Sequence, residues 1–361
     1  MIAGDKNPRV GFPGPGYGET EAHPSLALIK YWGKADREKN LPATPSLAVT
    51  LSGLTTRTRV RLHLLENEGP PADEVHVDGV LQDAKRSTPF FREFRRIITE
   101  KYPNPEPFSI RAESFSDFPS SAGLASSSSG FAALAVACSR AAGLELSPEE
   151  LSSLARIGSA SAARSLFGGF TRLDARASFA RQVFDENWWP EFRIIVIEVE
   201  KGPKAISSRQ AMESTRISSP YYSSWVKDSG VLMEKAVKAL ENKDLKTLGP
   251  LIRMSYLRMF GSMLAADPPV VYWKPESLSL IRMCEESRAG GIPVWETMDA
   301  GPQVKLFCTE NETRSICSRL DKEFPALSYR ICSPGKAPGK PTGGTFRQPD
   351  PGYRNPGDPE T

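Results

Sequence analysis

The chain has little of what usually announces metal or thiol chemistry. Its 361 residues contain three His and five Cys. Cys138, Cys284, Cys308, Cys317 and Cys332 form no C-x-x-C pair and mostly sit in apolar patterns. They read as buried thiols, not as a zinc framework or a disulfide scaffold. None of the His lies in a catalytic context. No apolar run approaches a membrane-spanning length. The N-terminus, with Asp5, Lys6 and Arg9 among Gly and Pro, lacks the apolar core of a secretion signal. A cytoplasmic protein with no membrane partner is expected. Charge is nearly balanced, 46 Lys+Arg against 43 Asp+Glu, so nothing suggests a nucleic-acid surface. The two commonest phosphate fingerprints, G-x-x-x-x-G-K-[ST] and G-x-G-x-x-G, are also missing.

What is present is a run of small residues and hydroxyls, Phe118-Pro119-Ser120-Ser121-Ala122-Gly123-Leu124-Ala125-Ser126-Ser127-Ser128-Ser129-Gly130, which stops at an Ala- and Leu-rich stretch from Phe131 to Cys138. A Gly/Ser loop feeding a buried helix presents backbone N–H groups and the positive end of the helix dipole to an anion. A Ser-rich linker is the competing reading. The Pro at one end and the immediate apolar helix at the other argue against it. The loop resembles Pro-x-x-x-Gly-Leu-x-Ser-Ser-x of the GHMP kinase superfamily, in which it wraps the phosphates of ATP.

The length suits two domains. Residues 1–20 are Gly/Pro-rich and read as a flexible N-terminal arm, with a strand-like core from Leu26. Thr58 to Leu65 alternates, with Val60, Leu62 and Leu64 on one face. Asp78-Gly79 marks a hairpin within Val75–Leu81. Pro89 to Tyr102 carries Phe90, Phe91, Phe94, Ile97 and Ile98 at helical spacing. A helix follows from about Ser147, and Phe192 to Val199 reads as a strand. The second half predicts helices at Ser224–Glu241, Asp244–Ala265 and Glu276–Arg288, closed by strands at Gln303–Cys308 and Leu327–Cys332. Two layered α+β domains fit this order, at 21–202 and 203–333. The Gly/Pro-rich tail, 334–361, offers too little apolar surface to order itself.

Four further blocks carry charge or hydroxyls in small-residue settings. Lys30-Tyr31-Trp32-Gly33-Lys34 ends an apolar strand; its two cations are either solvated or share an anion. Gly158 to Phe170 brackets Arg164 with Ser159, Ala160 and Ser161. In a helix, Ser161 and Arg164 would share a face, shaped for a carboxylate, although an ordinary salt bridge is equally simple. Ser207-Ser208-Arg209 at a helix start is an anion candidate or a plain N-cap. Asp299, before Gly301-Pro302, alone reads as a turn former.

Together and in this order the blocks resemble the mevalonate diphosphate decarboxylase family of the GHMP superfamily, over roughly residues 22 to 333. The resemblance implies a two-domain GHMP kinase fold. Its N-terminal domain would be like ribosomal protein S5 domain 2, followed by a GHMP kinase C-terminal domain, with the active site in the cleft between them. It implies ATP and Mg2+ as cofactors, mevalonate 5-diphosphate as substrate, and a homodimer. By the same resemblance Asp299 would be the catalytic base, Lys30 its partner, and Arg164 the group holding the substrate carboxylate. Tyr31, Trp32, Gly33, Lys34, Ser159, Ala160, Ser161, Ser208 and Arg209 would bind substrate. Gly123, Leu124, Ala125, Ser126, Ser127 and Ser128 would bind ATP, with no dedicated metal ligand. Ser25, Pro45 and Gln303 depart from the family pattern. Relatives decarboxylate mevalonate 5-phosphate or phosphorylate C3 without decarboxylating, and a non-catalytic binding protein is a third alternative.

Overall fold

The computed structural model of the chain describes residues 14, 16–65, 72–102, 104–118, 126–202 and 206–341. Its first part runs β1 (Tyr17–Ala22), β2 (Ser25–Ile29), β3 (Lys34–Asp36), β4 (Leu41–Pro42), β5 (Ser46–Thr50), β6 (Thr56–Leu64), β7 (Glu74–Val77) and β8 (Val80–Leu81). Then come α1 (Thr88–Lys101), β9 (Phe108–Ser116), α2 (Ser126–Ala142), α3 (Pro148–Gly158), a 3-10 helix (Ala160–Leu166), β10 (Phe170–Leu173) and β11 (Arg181–Phe184). The second part runs β12 (Phe192–Glu198), α4 (Ser208–Ser218), α5 (Tyr222–Glu241), α6 (Leu245–Leu264) and α7 (Pro275–Ala289). It ends with β13 (Trp295–Met298), β14 (Val304–Thr309), α8 (Glu310–Glu323) and β15 (Ser328–Cys332).

Local chemistry accounts for these elements. Helix α1 buries Phe90, Phe91, Phe94 and Ile98 on one face. Strand β6 turns Thr56, Thr58, Val60 and Leu62 inward, while Leu64 at its end is exposed. Asp78 and Gly79 both take positive φ, as the two-residue turn between β7 and β8 requires. Helix α3 starts on a capping box made by Ser147 and Glu150.

A five-stranded sheet, order β1-β6-β9-β7-β8, is covered by α1, α2 and α3. Helix α2 crosses β1 so closely that a Cβ on Gly18 would lie 2.1 Å from the Ala137 carbonyl oxygen. A second sheet, β11-β10-β5-β2, packs Leu26, Leu28 and Val49 against Leu232, Met233 and Ile252 of α5 and α6. The third, β13-β14-β12-β15, forms its own core with α6 and α7. The middle core is therefore built by residues from both parts of the chain.

Three expectations need correction. Strand β12 lies in the third sheet, between β14 and β15, so the boundary expected at 202/203 falls before Phe192. Residues 17–20, expected in a flexible arm, belong to β1, paired along β6; the inward residues Gly18, Thr20 and Ala22 are too small to give a hydropathy signal. The tail, expected to be disordered from 334, docks through residue 340 by backbone pairing that needs no apolar side chains. The Gly335 N–H donates to the Thr50 carbonyl at 2.7 Å, and Gly339 exchanges two hydrogen bonds with Glu21 at 3.1 Å each. The rest of the expected arm and tail, 1–13, 15 and 342–361, lies outside the described residues. Helix α8, which buries only Ile316 and Leu320, had no place in the sequence reading.

Candidate active site

All five residues of β2 are buried, and Lys30 directly after them inherits that burial, at 1% exposure. A buried ammonium needs partners. Lys30 Nζ donates to the Ala27 carbonyl and to Asp299 Oδ1, each at 2.7 Å. Asp299 follows β13 and does form a local turn, its carbonyl accepting from the Gly301 N–H at 2.8 Å. Its side chain, a quarter exposed, faces the cleft. Lys305 of β14 reaches the other carboxylate oxygen, Oδ2, at 3.1 Å. Burial alone would raise the Asp299 carboxyl, but the two ammonium groups outweigh it and hold the group well below the usual carboxylate range. Burial, assisted by Lys305 and Arg164, pushes the Lys30 amine down against the pull of Asp299.

Arg164 lies in the 3-10 helix, where residues three apart eclipse, so it does share a side with Ser161. It is 2% exposed, donates to Ser46 Oγ at 2.7 Å, and its Nε–H has no partner among the described residues. Burial pushes this guanidinium down to about 10. The Tyr31 hydroxyl nearby is likewise buried and has no partner among the described residues. An unsatisfied buried donor is costly unless a ligand meets it. Ser159 Oγ lies 3.0 Å from Ser161 Oγ and 3.4 Å from Ser127 Oγ, a hydroxyl chain joining the start of α2 to the Arg164 segment. Ser25 Oγ donates to the Ser161 carbonyl at 3.3 Å.

Across the cleft, Ser207 caps α4 and the next turn presents Ser208 and Arg209. Lys34, at the start of β3, has its amine pushed down to about 8 by burial, then by Arg209 and Arg37. Arg86, from a 3-10 turn at Ala84–Arg86, is also pushed down by burial and by Arg209. The whole encloses about 710 Å³, lined among the described residues by six cations (Lys30, Lys34, Lys85, Arg86, Arg164, Arg209) and two carboxylates (Asp83, Asp299). Such a cavity is built for a polyanion.

Most expected site residues thus converge. Lys30, Tyr31, Trp32, Lys34, Arg164 and Asp299 line the cleft, as do Ser126, Ser127, Ser159, Ala160, Ser161, Ser208 and Arg209. Two do not. Ser128 is buried beneath the wall, where its hydroxyl receives the Ser25 N–H at 3.3 Å. Gly33 serves through its backbone: φ is 102°, and a Cβ there would lie 1.9 Å from the Tyr222 hydroxyl. Gly123, Leu124 and Ala125 lie outside the described residues. Lys85, Arg86 and Lys305 went unread. A lysine inside the apolar run Val304-Lys305-Leu306-Phe307 was a signal for the last; the other two sit in a loop with none. Among the described residues no three His, Cys, Asp or Glu side chains converge on a metal position. The hydroxyls of Ser126 and Ser127, at the first turn of α2, suit a magnesium ion held mainly by nucleotide phosphates. No helix among the described residues is long and apolar enough to cross a membrane.

Residues 22–182 match the diphosphomevalonate decarboxylase-like N-terminal domain, and residues 194–337 match the mevalonate 5-diphosphate decarboxylase C-terminal domain. The diphosphomevalonate decarboxylase mvd1 of Aspergillus fumigatus is 33% identical over 321 residues, covering 83% of this chain and 79% of its own. The human diphosphomevalonate decarboxylase is 30% identical over 322 residues, covering 83% and 79%. Among solved structures, the mevalonate diphosphate decarboxylase of Enterococcus faecalis, described for its mevalonate diphosphate mediated ATP binding mechanism, aligns at TM-score 0.79 with 35% identity, over 89% of this chain and 98% of that one. A chain designated MDDEF, in complex with MVAPP, AMPPCP and magnesium, aligns at TM-score 0.80 with 36% identity, over 90% and 98%.

Proposed function

The chain belongs to the diphosphomevalonate decarboxylase family, and on that premise we propose how its cleft converts mevalonate 5-diphosphate and ATP into isopentenyl diphosphate, ADP, phosphate and CO2. The observation that carries the assignment of roles is the Asp299 carboxylate, held between Lys30 and Lys305 at the cleft wall, in the same cleft as Arg164, whose Nε–H has no partner among the described residues.

Arg164 takes the substrate carboxylate, which satisfies its free donor and fixes the C–C bond that will break. Tyr31, Ser159 and Ser161 complete that end. Lys34, Ser208 and Arg209 take the 5-diphosphate, and Lys85 and Arg86 add charge to the same cavity. ATP enters along Ser126 and Ser127. Magnesium, brought with the nucleotide, supplies charge neutralisation at the phosphates.

Asp299 accepts the hydrogen bond of the tertiary C3 hydroxyl. A carboxylate held so far below its usual range is a weak base, so it orients the hydroxyl and receives its proton late. That suffices for a loose phosphoryl transfer, where positioning and charge stabilisation dominate. The C3–O bond of the resulting phosphate ester then breaks. Electron density from the departing carboxylate forms the double bond as CO2 leaves. Lys30 stabilises charge at the phosphoryl group throughout.

A kinase that stops at the C3 phosphate, a monophosphate decarboxylase and a binding protein are each less well supported. Asp299, Lys30 and Arg164 all line one cleft. The deciding experiment is product analysis with MgATP and mevalonate, its 5-phosphate and its 5-diphosphate. CO2 and ADP in equal amounts from the diphosphate are expected; ADP without CO2 points to the kinase. The homodimer and a cytoplasmic setting are supported by family membership alone, and sedimentation of the purified chain tests the first.

A further inference from the structure

Strand β14 is buried on both faces from Val304 to Cys308, and Lys305 stands inside it with a side chain only 3% exposed. A lysine there is costly unless its charge is met. It is met by Asp299 Oδ2 at 3.1 Å, and more weakly by the Gln303 carbonyl at 3.5 Å. Lys30 and Asp299 line the cleft; Lys305 does not. The two ammonium groups therefore take different oxygens of one carboxylate, one from the cleft side and one from behind. The charged groups facing Asp299 are Lys30 after β2, Lys305 in β14 and Arg164 in the 3-10 helix.

We propose that Lys305 is a positioning residue for the decarboxylation assigned above, gripping Asp299 Oδ2 from behind so that the carboxylate meets the C3 hydroxyl in one fixed orientation beside Lys30. The inference rests on that functional reading. The last torsion of an aspartate is broad and two-fold, so Lys30 alone could hold either oxygen over a range of angles. A second ammonium, fixed in a packed strand, removes that freedom. Orientation of this kind matters steeply: a misplacement of about 1 Å can cost on the order of 10²-fold in rate.

Lys305→Met keeps the length of the stem and removes the grip and the charge; Lys305→Gln keeps a donor without the charge. We expect Lys305→Met to lower kcat for mevalonate 5-diphosphate about tenfold or more, with KM for both substrates within about twofold. The acid limb of the kcat–pH profile should move to higher pH, because the carboxylate has lost one of its cations. Lys305→Gln should recover part of kcat while keeping the shifted limb. A folded Lys305→Met with normal kcat and an unmoved limb overturns the proposal. So does loss of the folded state in both variants, which would make Lys305 a purely structural group. No CO2 release by the unaltered chain sinks the reaction and this role together, whereas a normal Lys305→Met in an active background sinks the role alone.

Discussion

The ammonium of Lys30 and the carboxylate of Asp299 meet at 2.7 Å although 269 positions separate them in the chain. One comes from the end of a strand in the second sheet and the other from the end of a strand in the third. The pair forms only when both parts have folded onto their shared core. Asp299→Asn removes the charge and nearly keeps the shape. It should leave substrate KM within a few-fold and lower kcat by 10²-fold or more, the range for loss of a positioned proton acceptor. Steady-state kinetics on a variant with a wild-type melting profile checks this; a near-normal kcat removes Asp299 from the reaction.

Lys34 should set an alkaline limit on substrate capture. With its amine pushed down to about 8, the free enzyme loses this cation as pH rises through that value. kcat/KM for the diphosphate should therefore fall above about pH 8, and Lys34→Met should be slower at pH 7 and fall less steeply, the remaining fall coming from Lys30, whose amine burial also pushes down to about 8. The stability sign is opposite to that of a salt-bridged lysine. The unfolded chain holds the proton up to about 10.4 and the folded one only to about 8. This group's contribution to stability thus rises with pH across that window. The melting-temperature difference between wild type and Lys34→Met, measured from pH 7 to 10 without ligand, should shift in favour of wild type as pH rises.

Arg209→Ala should discriminate between phosphate counts. Arg209 and Arg86 line the same cavity, where burial and then Arg209 depress Arg86, and a diphosphate relieves that repulsion better than a monophosphate. KM for mevalonate 5-diphosphate should rise about tenfold, or ~1.4 kcal/mol, and much less for the 5-phosphate. Equal rises for both would place Arg209 on a group common to the two substrates.

Truncation after Gly335 should destabilise the protein, whereas truncation after Lys340 should not. The first removes Gly339, whose carbonyl also accepts from Thr20 Oγ1 at 2.6 Å and from Arg140 Nη1 at 3.3 Å. Losing these four bonds costs about 3 kcal/mol, or roughly 4 °C in Tm. Equal Tm values for the two truncations would show that the strand-edge contact contributes nothing.

Much of the architecture was legible because it was written in side chains. The helical spacing of Phe90, Phe91, Phe94 and Ile98 gave α1, and the alternation of Val60 and Leu62 gave β6. The site was legible as a set of blocks, since Lys30, Arg164, Arg209 and Asp299 each stand beside small residues or turns. What stayed hidden depends on pairing, which sequence does not display. Strand β1 buries only Gly, Thr and Ala. The tail docks through carbonyls and amides. Strand β12 reads as a strand in either domain until its neighbours are known. Lys85 and Arg86 look like ordinary loop cations until the fold carries them into the same cavity as Arg209.

The contact between Thr20 and Gly339 spans 319 positions and has a consequence for biosynthesis. Strand β1 is the outermost strand of its sheet, and the tail covers part of its free side. On the ribosome that side stays open while nearly the whole remaining chain is made. An open strand side is a template for pairing with another chain, so polysomes crowded with this message would expose neighbouring nascent chains to one another until release. Because Glu21 and Gly339 are paired side by side, joining the chain near these two residues with a short linker and reopening it in an exposed loop would make β1 and its cover in quick succession.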